Sequence, residues 1–355
     1  MKKTILVAIL FSTLSSFAQV GVGTTSPNAS SALDITSTTK GLLLPRLTDS
    51  QKMAISSPAA GLWIWCSDCG VRGQMQVYNG TAWTNMTGGV ALSSLLLDRL
   101  ASTPIAAYSL RLLRSGYIGN PAIRVRRSSD NTETNIGFTN SGDLDETALL
   151  AFTGSSDGFV TTWYDQSGNN NHAINTNTAA QPQLVFAGVV NKMNNKPAIK
   201  STVARNTRLE RTPASAITIR QFSVVGQGEV NGSNYVIFLQ QAGPNAYFRY
   251  APSGNIEAWF QGATAINSNI SQFTSSLKIY SAQFTTGKLY SNGLEIGSSS
   301  VTSTTSSSSL YTLFNNPGNS SPLNGSMSEI ILFPSAINRT ILEADQGAYY
   351  SITVN

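Results

Sequence analysis

Apolar and polar positions alternate along most of this chain, and the breaks in that alternation divide it into stretches. From residue 106 onward, short runs of alternating character are interrupted by Gly, Asn, Ser and Pro, the pattern of antiparallel strands joined by tight turns. The clearest runs are 222–226, 235–239, 246–250, 256–260 and 278–284, with residues 325–333 as a closing strand. Asn292-Gly293 between two such runs predicts a hairpin. Two stretches have helical periodicity instead: one opening near Asp143 or Asp145 and running to Gly154, and an amphipathic one over residues 338–350. Many evenly spaced strands, each with one apolar face to hide, predict a mainly β, two-sheet antiparallel β-sandwich. The Ser/Thr run from Ser298 to Ser309 reads as a loop within it.

Upstream the pattern differs. Thr48 with Gln51 forms a capping box that opens a short helix to about Ile55. Gly61 to Trp65 reads as a strand, and Asn79-Gly80 between Met75–Tyr78 and Thr81–Trp83 as a hairpin with a type I′ turn. The expected organisation is a signal peptide at 1–18, a small mixed N-terminal module at 19–88, a linker at 89–105 and the sandwich at 106–355. The module is rich in apolar residues for its size, which predicts packing against sister chains in a homotrimer.

Composition sharpens the compartment. Only 12% of the 355 residues are charged. Lys2 and Lys3, the apolar run Ile5 to Phe11 and Ser16-Phe17-Ala18 before Gln19 read as a cleaved signal peptide, so a secreted or cell-surface location is expected. The apolar run is too short to span a bilayer, and no membrane insertion is expected after cleavage. Cleavage would remove two Lys and no acid, taking formal charge from +5 to +3. No basic cluster longer than Arg126-Arg127 then remains, which argues against nucleic acid as a partner. Cys66 and Cys69, the only cysteines, are expected to form a short-range disulfide in an exported protein. A metal site there lacks further Cys or His ligands.

The candidate chemistry lies in residues 158–174, where a strand delivers a loop dense in amides, with His172, the single His, at its exit. Trp163, Tyr164, Asp165, Gln166, Asn169, Asn171 and His172 are the aromatic and hydrogen-bonding groups with which proteins hold sugars. A self-hydrogen-bonded turn in which Asp165 and the Asn side chains satisfy backbone groups is the competing reading, and both stay open. Tyr108-Ser109-Leu110-Arg111, the run Ala122 to Asp130, and Trp163 to Gly168 followed by Asn171-His172 resemble, in order and spacing, the catalytic domain of α-L-arabinofuranosidase B. The resemblance covers roughly residues 106–174. The closing strand followed by a helix is similar to laminin-G and concanavalin A-like sandwiches, and residues 20–48 resemble the N-terminal segment of exported proteins and fibre-like adhesins of Bacteroidetes-type bacteria.

Retaining glycoside hydrolysis needs two carboxylates about 5 Å apart. The resemblance places the nucleophile around residues 234–240 and the acid/base around residues 314–319, and neither stretch contains Asp or Glu. A shifted register offers Glu229, Glu257 or Glu329, each of which also reads as an ordinary strand carboxylate. One His and no nucleophile elbow leave no evident triad. No cofactor is expected; Ca²⁺ held by Asp165 and nearby carbonyls stays open as an alternative, without an Asp-rich ligand string to support it. The sequence therefore points first to a non-catalytic glycan-binding, adhesin-like protein. An active retaining α-L-arabinofuranosidase and a structural fibre subunit are the alternatives.

Overall fold

A computed structural model describes residues 19–70, 73–86, 94–212, 217–229, 235–238, 247–251, 253–259, 265–268, 272, 276–300, 311–315 and 321–355. The expected signal peptide and the 301–309 part of the Ser/Thr run lie outside the described residues.

The sandwich has two antiparallel layers. In the first, the strands run in the order Leu294–Ser298, Lys288–Ser291, Lys278–Gln283, Gln221–Gly228, Gly325–Phe333 and Ala106–Ser109. In the second the order is Glu133–Ile136, Ile123–Arg127, Gly158–Trp163, Ala173–Ile174, Leu209–Arg211, Tyr311–Leu313, Tyr235–Phe238, Tyr247–Tyr250, Ile256–Trp259 and Ile266–Asn267. Gln183–Phe186 pairs with the start of Gly158–Trp163 and with Ile199–Ser201, which in turn pairs with the first half of Gly325–Phe333, so the layers are joined along one side. Between them lies the main core, with Tyr108, Trp163, Phe222, Phe248 and Tyr280 fully buried. Truncating one of these aromatics to Ala would cost about 3–5 kcal/mol.

The first layer is covered on its outer face as well. The helix Arg339–Tyr350 is capped at its start by Asn338, whose side chain accepts from the Thr340 amide. It places Leu342 against Ala107, Ile331 and Phe333, and Tyr350 against Val225 and Ile279. Burial on both faces explains why Ile330 to Phe333 is a continuous apolar run where one-sided strands alternate. Gly158–Trp163 is likewise buried throughout, so both of its faces lie away from solvent.

Local signals are legible where chemistry fixes them. The Thr48 capping box opens Asp49–Met53, and Asp145 caps Glu146–Thr153 by accepting from the Ala148 amide. Asn292 and Gly293 both have positive φ, as a type I′ turn demands. At Asn79-Gly80 only the glycine does, and the Asn79 side chain instead accepts from the Thr81 and Ala82 amides, so the expected type I′ turn is not formed there.

The expected linker at 89–105 needs correction over its described part. Ser94 bridges to Cys69, residues 96–98 form a single 3₁₀ turn, and Leu96 and Leu97 are buried against Leu113, Phe333 and Leu342. Arg99 pairs with Asp345 on the final helix. A segment rich in leucine behaves as core once a neighbouring strand and helix offer a face.

The N-terminal module comprises a parallel ribbon, Val20–Val22 with Leu33–Ile35, and a four-stranded sheet of Arg46–Leu47, Trp63–Cys66, Gln74–Tyr78 and Trp83–Asn85. Its own core is small: Ile64 with the Cys66–Cys69 disulfide, flanked by Leu47 and Trp83. Val20, Val22, Leu33, Leu42, Leu43, Met53 and Trp63 are exposed.

Candidate functional site

The loop that follows Gly158–Trp163 is organised by Asp165. Its Oδ1 accepts from the amides of Ala107 and Ser167, each at 2.8 Å, and its Oδ2 from the Asn171 amide at 2.9 Å and the Ser167 hydroxyl at 2.7 Å. Four donors fill the acceptor positions of one carboxylate, which leaves none to offer a cation. Gln166 does the same for the preceding segment. Its Oε1 accepts from the Leu113 amide at 2.8 Å, and its Nε2 donates to the carbonyls of Ser109 and Arg111 at 3.1 and 2.9 Å. Asn169 and Asn171 donate to the Ile105 carbonyl at 3.0 and 2.9 Å. Together these residues pin the loop to the segment 104–113.

This arrangement separates the seven residues expected to face a sugar. Trp163, Asp165, Gln166 and Asn171 are buried at 0%, 1%, 0% and 7% exposure, so for them the glycan-contact expectation is corrected: they hold the loop. The Trp163 ring packs between Tyr108 and Phe314, and its Nε1 has no hydrogen-bond partner among the described residues. A buried unpaired N–H costs about 1–3 kcal/mol, which the packed ring must offset. Tyr164 and His172 are half-buried and Asn169 is exposed, and these three remain at the surface.

Tyr164 and His172 meet edge to face with ring centroids 4.9 Å apart. The Tyr164 hydroxyl donates to Asn135 Oδ1 at 2.9 Å. His172 Nδ1 accepts from the Asp165 amide at 3.1 Å, which fixes the neutral ring with its proton on Nε2. Burial moves the His172 pKa below its ordinary value; Asp165 pulls it upward and Arg211 pushes it down. The loop thus offers an uncharged imidazole donor beside a tyrosine ring. Next to Asn135 lies an open cleft of about 390 Å³ lined by Ile118, Asn120, Pro121, Asn135 and Phe138 among others. Asn135 and Arg211, whose Nε donates to Asn171 Oδ1 at 3.1 Å, were missed by sequence reasoning. Both sit on ordinary-looking strands, and only the pairing of Glu133–Ile136 and Leu209–Arg211 into the second layer brings them here.

All 18 Asp and Glu of the sequence lie among the described residues. Glu329 is fully buried; it accepts from Arg111 Nε at 2.8 Å, Ser109 Oγ at 2.8 Å, Gln346 Nε2 at 3.0 Å and Tyr350 OH at 3.2 Å. The expectation of a role for it in a cleft is therefore corrected: it sits beneath the final helix as the centre of an ionic cluster. Although burial opposes charge on Arg111, Glu329 and Asp345 outweigh it and hold the guanidinium pKa above its ordinary value. Glu257 is half-buried in an ion pair with Arg249 at 2.7 Å. Glu229 is the most loosely held of the three, with Lys200 at 3.5 Å and Asn324 at 3.4 Å. Twelve of the acids take part in ion pairs, and the other six, Asp34, Asp68, Asp98, Asp145, Asp157 and Asp165, accept backbone amides.

Fold and loop together define a mainly β, two-layer antiparallel sandwich with a loop pinned by its own side chains. Residues 99–222 match the family described as alpha-L-arabinofuranosidase B, catalytic, and residues 21–102 match the phage tail like trimerisation region. A comparison with curated proteins finds no match. Among solved structures, the chain is similar to a mutant of GH54 α-L-arabinofuranosidase soaked with 4-nitrophenyl α-L-arabinofuranoside, at 17% identity over 70% of this chain and 63% of that one, with a TM-score of 0.47. It is similar to an arabinofuranosidase complexed with arabinofuranosyl-α-1,2-xylobiose at 16% identity over 71% of this chain and 64% of that one, with a TM-score of 0.46. A Ruminococcus gnavus IT-sialidase CBM40 bound to α2,3 sialyllactose aligns at 11% identity over 37% of this chain and 84% of that one, with a TM-score of 0.31. The chain spans a little under two thirds of the length of the arabinofuranosidases it matches. No helix among the described residues is long and apolar enough to cross a membrane.

Proposed function

We propose that this is an exported, cell-surface glycan-binding protein, adhesin-like in role, whose sandwich holds sugar without hydrolysing it and whose N-terminal module assembles three chains. The observation that carries the reading is the disposition of the carboxylates. A retaining hydrolase keeps a nucleophile and an acid/base facing a cleft, whereas every acid of this chain is engaged by a cation or a backbone amide. What faces outward at the loop is Tyr164, His172 and Asn169, a ring surface with neutral hydrogen-bonding groups, beside the cleft at Asn135. The match of residues 99–222 to an arabinofuranosidase catalytic family supports arabinose-containing polysaccharide as the ligand class. The match of residues 21–102 to a trimerisation region, together with the exposed Val20, Val22, Leu33, Leu42, Leu43 and Trp63, supports a homotrimer.

A second reading is favoured by one contact. Glu229 is half-exposed and held only by long contacts, so it is the carboxylate freest to act as a nucleophile in an active α-L-arabinofuranosidase. One experiment separates the two. The mature protein is incubated with 4-nitrophenyl α-L-arabinofuranoside and, in parallel, titrated with arabinofuranosyl-α-1,2-xylobiose. Saturable binding without release of nitrophenol supports the binding protein. Turnover that disappears in Glu229→Gln overturns it in favour of the hydrolase.

A further inference from the structure

The hairpin Tyr247–Tyr250 with Ile256–Trp259 turns one face inward, burying Phe248, Tyr250, Ile256 and Ala258 in the core. On a one-sided antiparallel sheet the other face is expected to be polar. Here it carries Tyr247 directly opposite Trp259, with ring centroids 5.6 Å apart and planes within 20° of parallel, both partly exposed. Two register positions along, Arg249 stands opposite Glu257 and pairs with it at 2.7 Å, and Asn267, exposed, stands opposite Glu257 on the next strand. Arg249 also lies over the Tyr247 ring at 4.3 Å.

A cross-strand aromatic pair steadies any hairpin, so its presence alone says little. Its setting says more. The other partly exposed aromatics with a cation over the ring are covered from a different element: Tyr290 by Arg339, Tyr349 by Arg111 and Lys196, Phe152 by Arg127. Among the described residues, the Tyr247–Trp259 pair has a cation only from its own hairpin. The strip therefore combines aromatic surface at one end with a guanidinium, a carboxylate and an amide at the other. It crosses three strands and two residues of strand length, a footprint of about 10 by 7 Å, which matches two sugar rings.

We infer that this strip is a second glycan-binding site, for a neutral oligosaccharide that lays a ring face on the exposed part of Trp259, backed by Tyr247, and hydrogen-bonds to Arg249, Glu257 and Asn267. Neutrality follows from the pairing: Glu257 already compensates Arg249, and it would oppose an anionic sugar. The inference rests on the glycan-binding reading above and places a second site on a different hairpin from the Tyr164–His172 loop.

The test is calorimetric titration of the full chain with arabinofuranosyl-α-1,2-xylobiose, for the native protein, Trp259→Leu, Tyr164→Ala and the double variant. Leucine keeps an apolar strand residue and removes the aromatic face; circular dichroism and the thermal midpoint establish that each variant is folded. Two sites per chain are expected for the native protein, with Trp259→Leu weakening one of them and Tyr164→Ala the other, each about tenfold. Should Trp259→Leu not fold, Glu257→Gln takes its place and is expected to weaken the same site. Unchanged binding in a folded Trp259→Leu or Glu257→Gln, with loss confined to Tyr164→Ala, overturns the second site and leaves the loop site standing. Absence of binding by the native protein overturns both.

Discussion

The two halves of the molecule treat their apolar residues in opposite ways. In the sandwich, Tyr108, Trp163, Phe222 and Phe248 are removed from water completely. In the N-terminal module, Leu42 and Leu43 stand 65% and 72% exposed, and the three-residue strands Val20–Val22 and Leu33–Ile35 have no buried residue between them. A two-stranded ribbon of that length has too little burial to hold itself together in water. The difference teaches that the described sandwich hides its large apolar side chains within one chain, while the N-terminal module leaves many of its own facing solvent.

The strongest way to break that comparison is to attack the sandwich from inside. Glu329→Ala would leave Arg111 buried with Asp345 alone for a carboxylate partner and is expected to cost about 3 kcal/mol, read as a fall in the thermal midpoint. A midpoint that does not move would show that the cluster is not buried as described. Asp165→Ala strands three amides and a hydroxyl at once and is expected to cost about 3 kcal/mol or more, with loss of protection of the Ala107 and Asn171 amides in hydrogen exchange.

Leu43→Asp probes the other half. It should leave the midpoint of the sandwich in place and convert the assembled species to monomer, as measured by light scattering; a protein that is monomeric before the change ends the idea of a shared core. Tyr164→Ala is smaller still, expected to leave the fold intact while weakening sugar binding about tenfold.

The smallest effect is the pH dependence at His172. Burial holds its folded pKa below the ordinary 6.5, so the unfolded chain binds the proton more readily. Its contribution is therefore present above about pH 6.5 and is lost as pH falls toward the lower, folded value. Protonation would also put a hydrogen on Nδ1 against the Asp165 amide. The native protein should lose slightly more stability than His172→Gln between neutral and mildly acidic pH; parallel curves would refute the assignment.

Legibility followed locality. Capping residues and Asn-Gly signals act over three or four residues, and the roles of Thr48, Asp145 and Asn292 can be read from their neighbours alone. Asp165 and Gln166 stand out as a motif, but their role depends on Ala107 and Leu113, more than fifty residues earlier. A loop rich in amides looks the same in sequence whether its side chains bind a ligand or its own backbone. Glu329 illustrates the converse: next to apolar Ile330 it reads as a strand carboxylate at a surface, and only Arg111, 218 residues away, makes its burial possible. Pairing partners at that distance leave no periodic trace in the sequence.

The position of Gly325–Phe333 has a temporal consequence. This strand lies inside the first layer, between Gln221–Gly228 and Ala106–Ser109, and it also receives Ile199–Ser201. None of those strands can complete its pairing until residue 333 has left the ribosome. The nascent sandwich must therefore wait, unpaired at its centre, through the synthesis of more than two hundred residues, and then close late through contacts of high sequence separation. Such a chain keeps its central pairing open until the closing strand has been made.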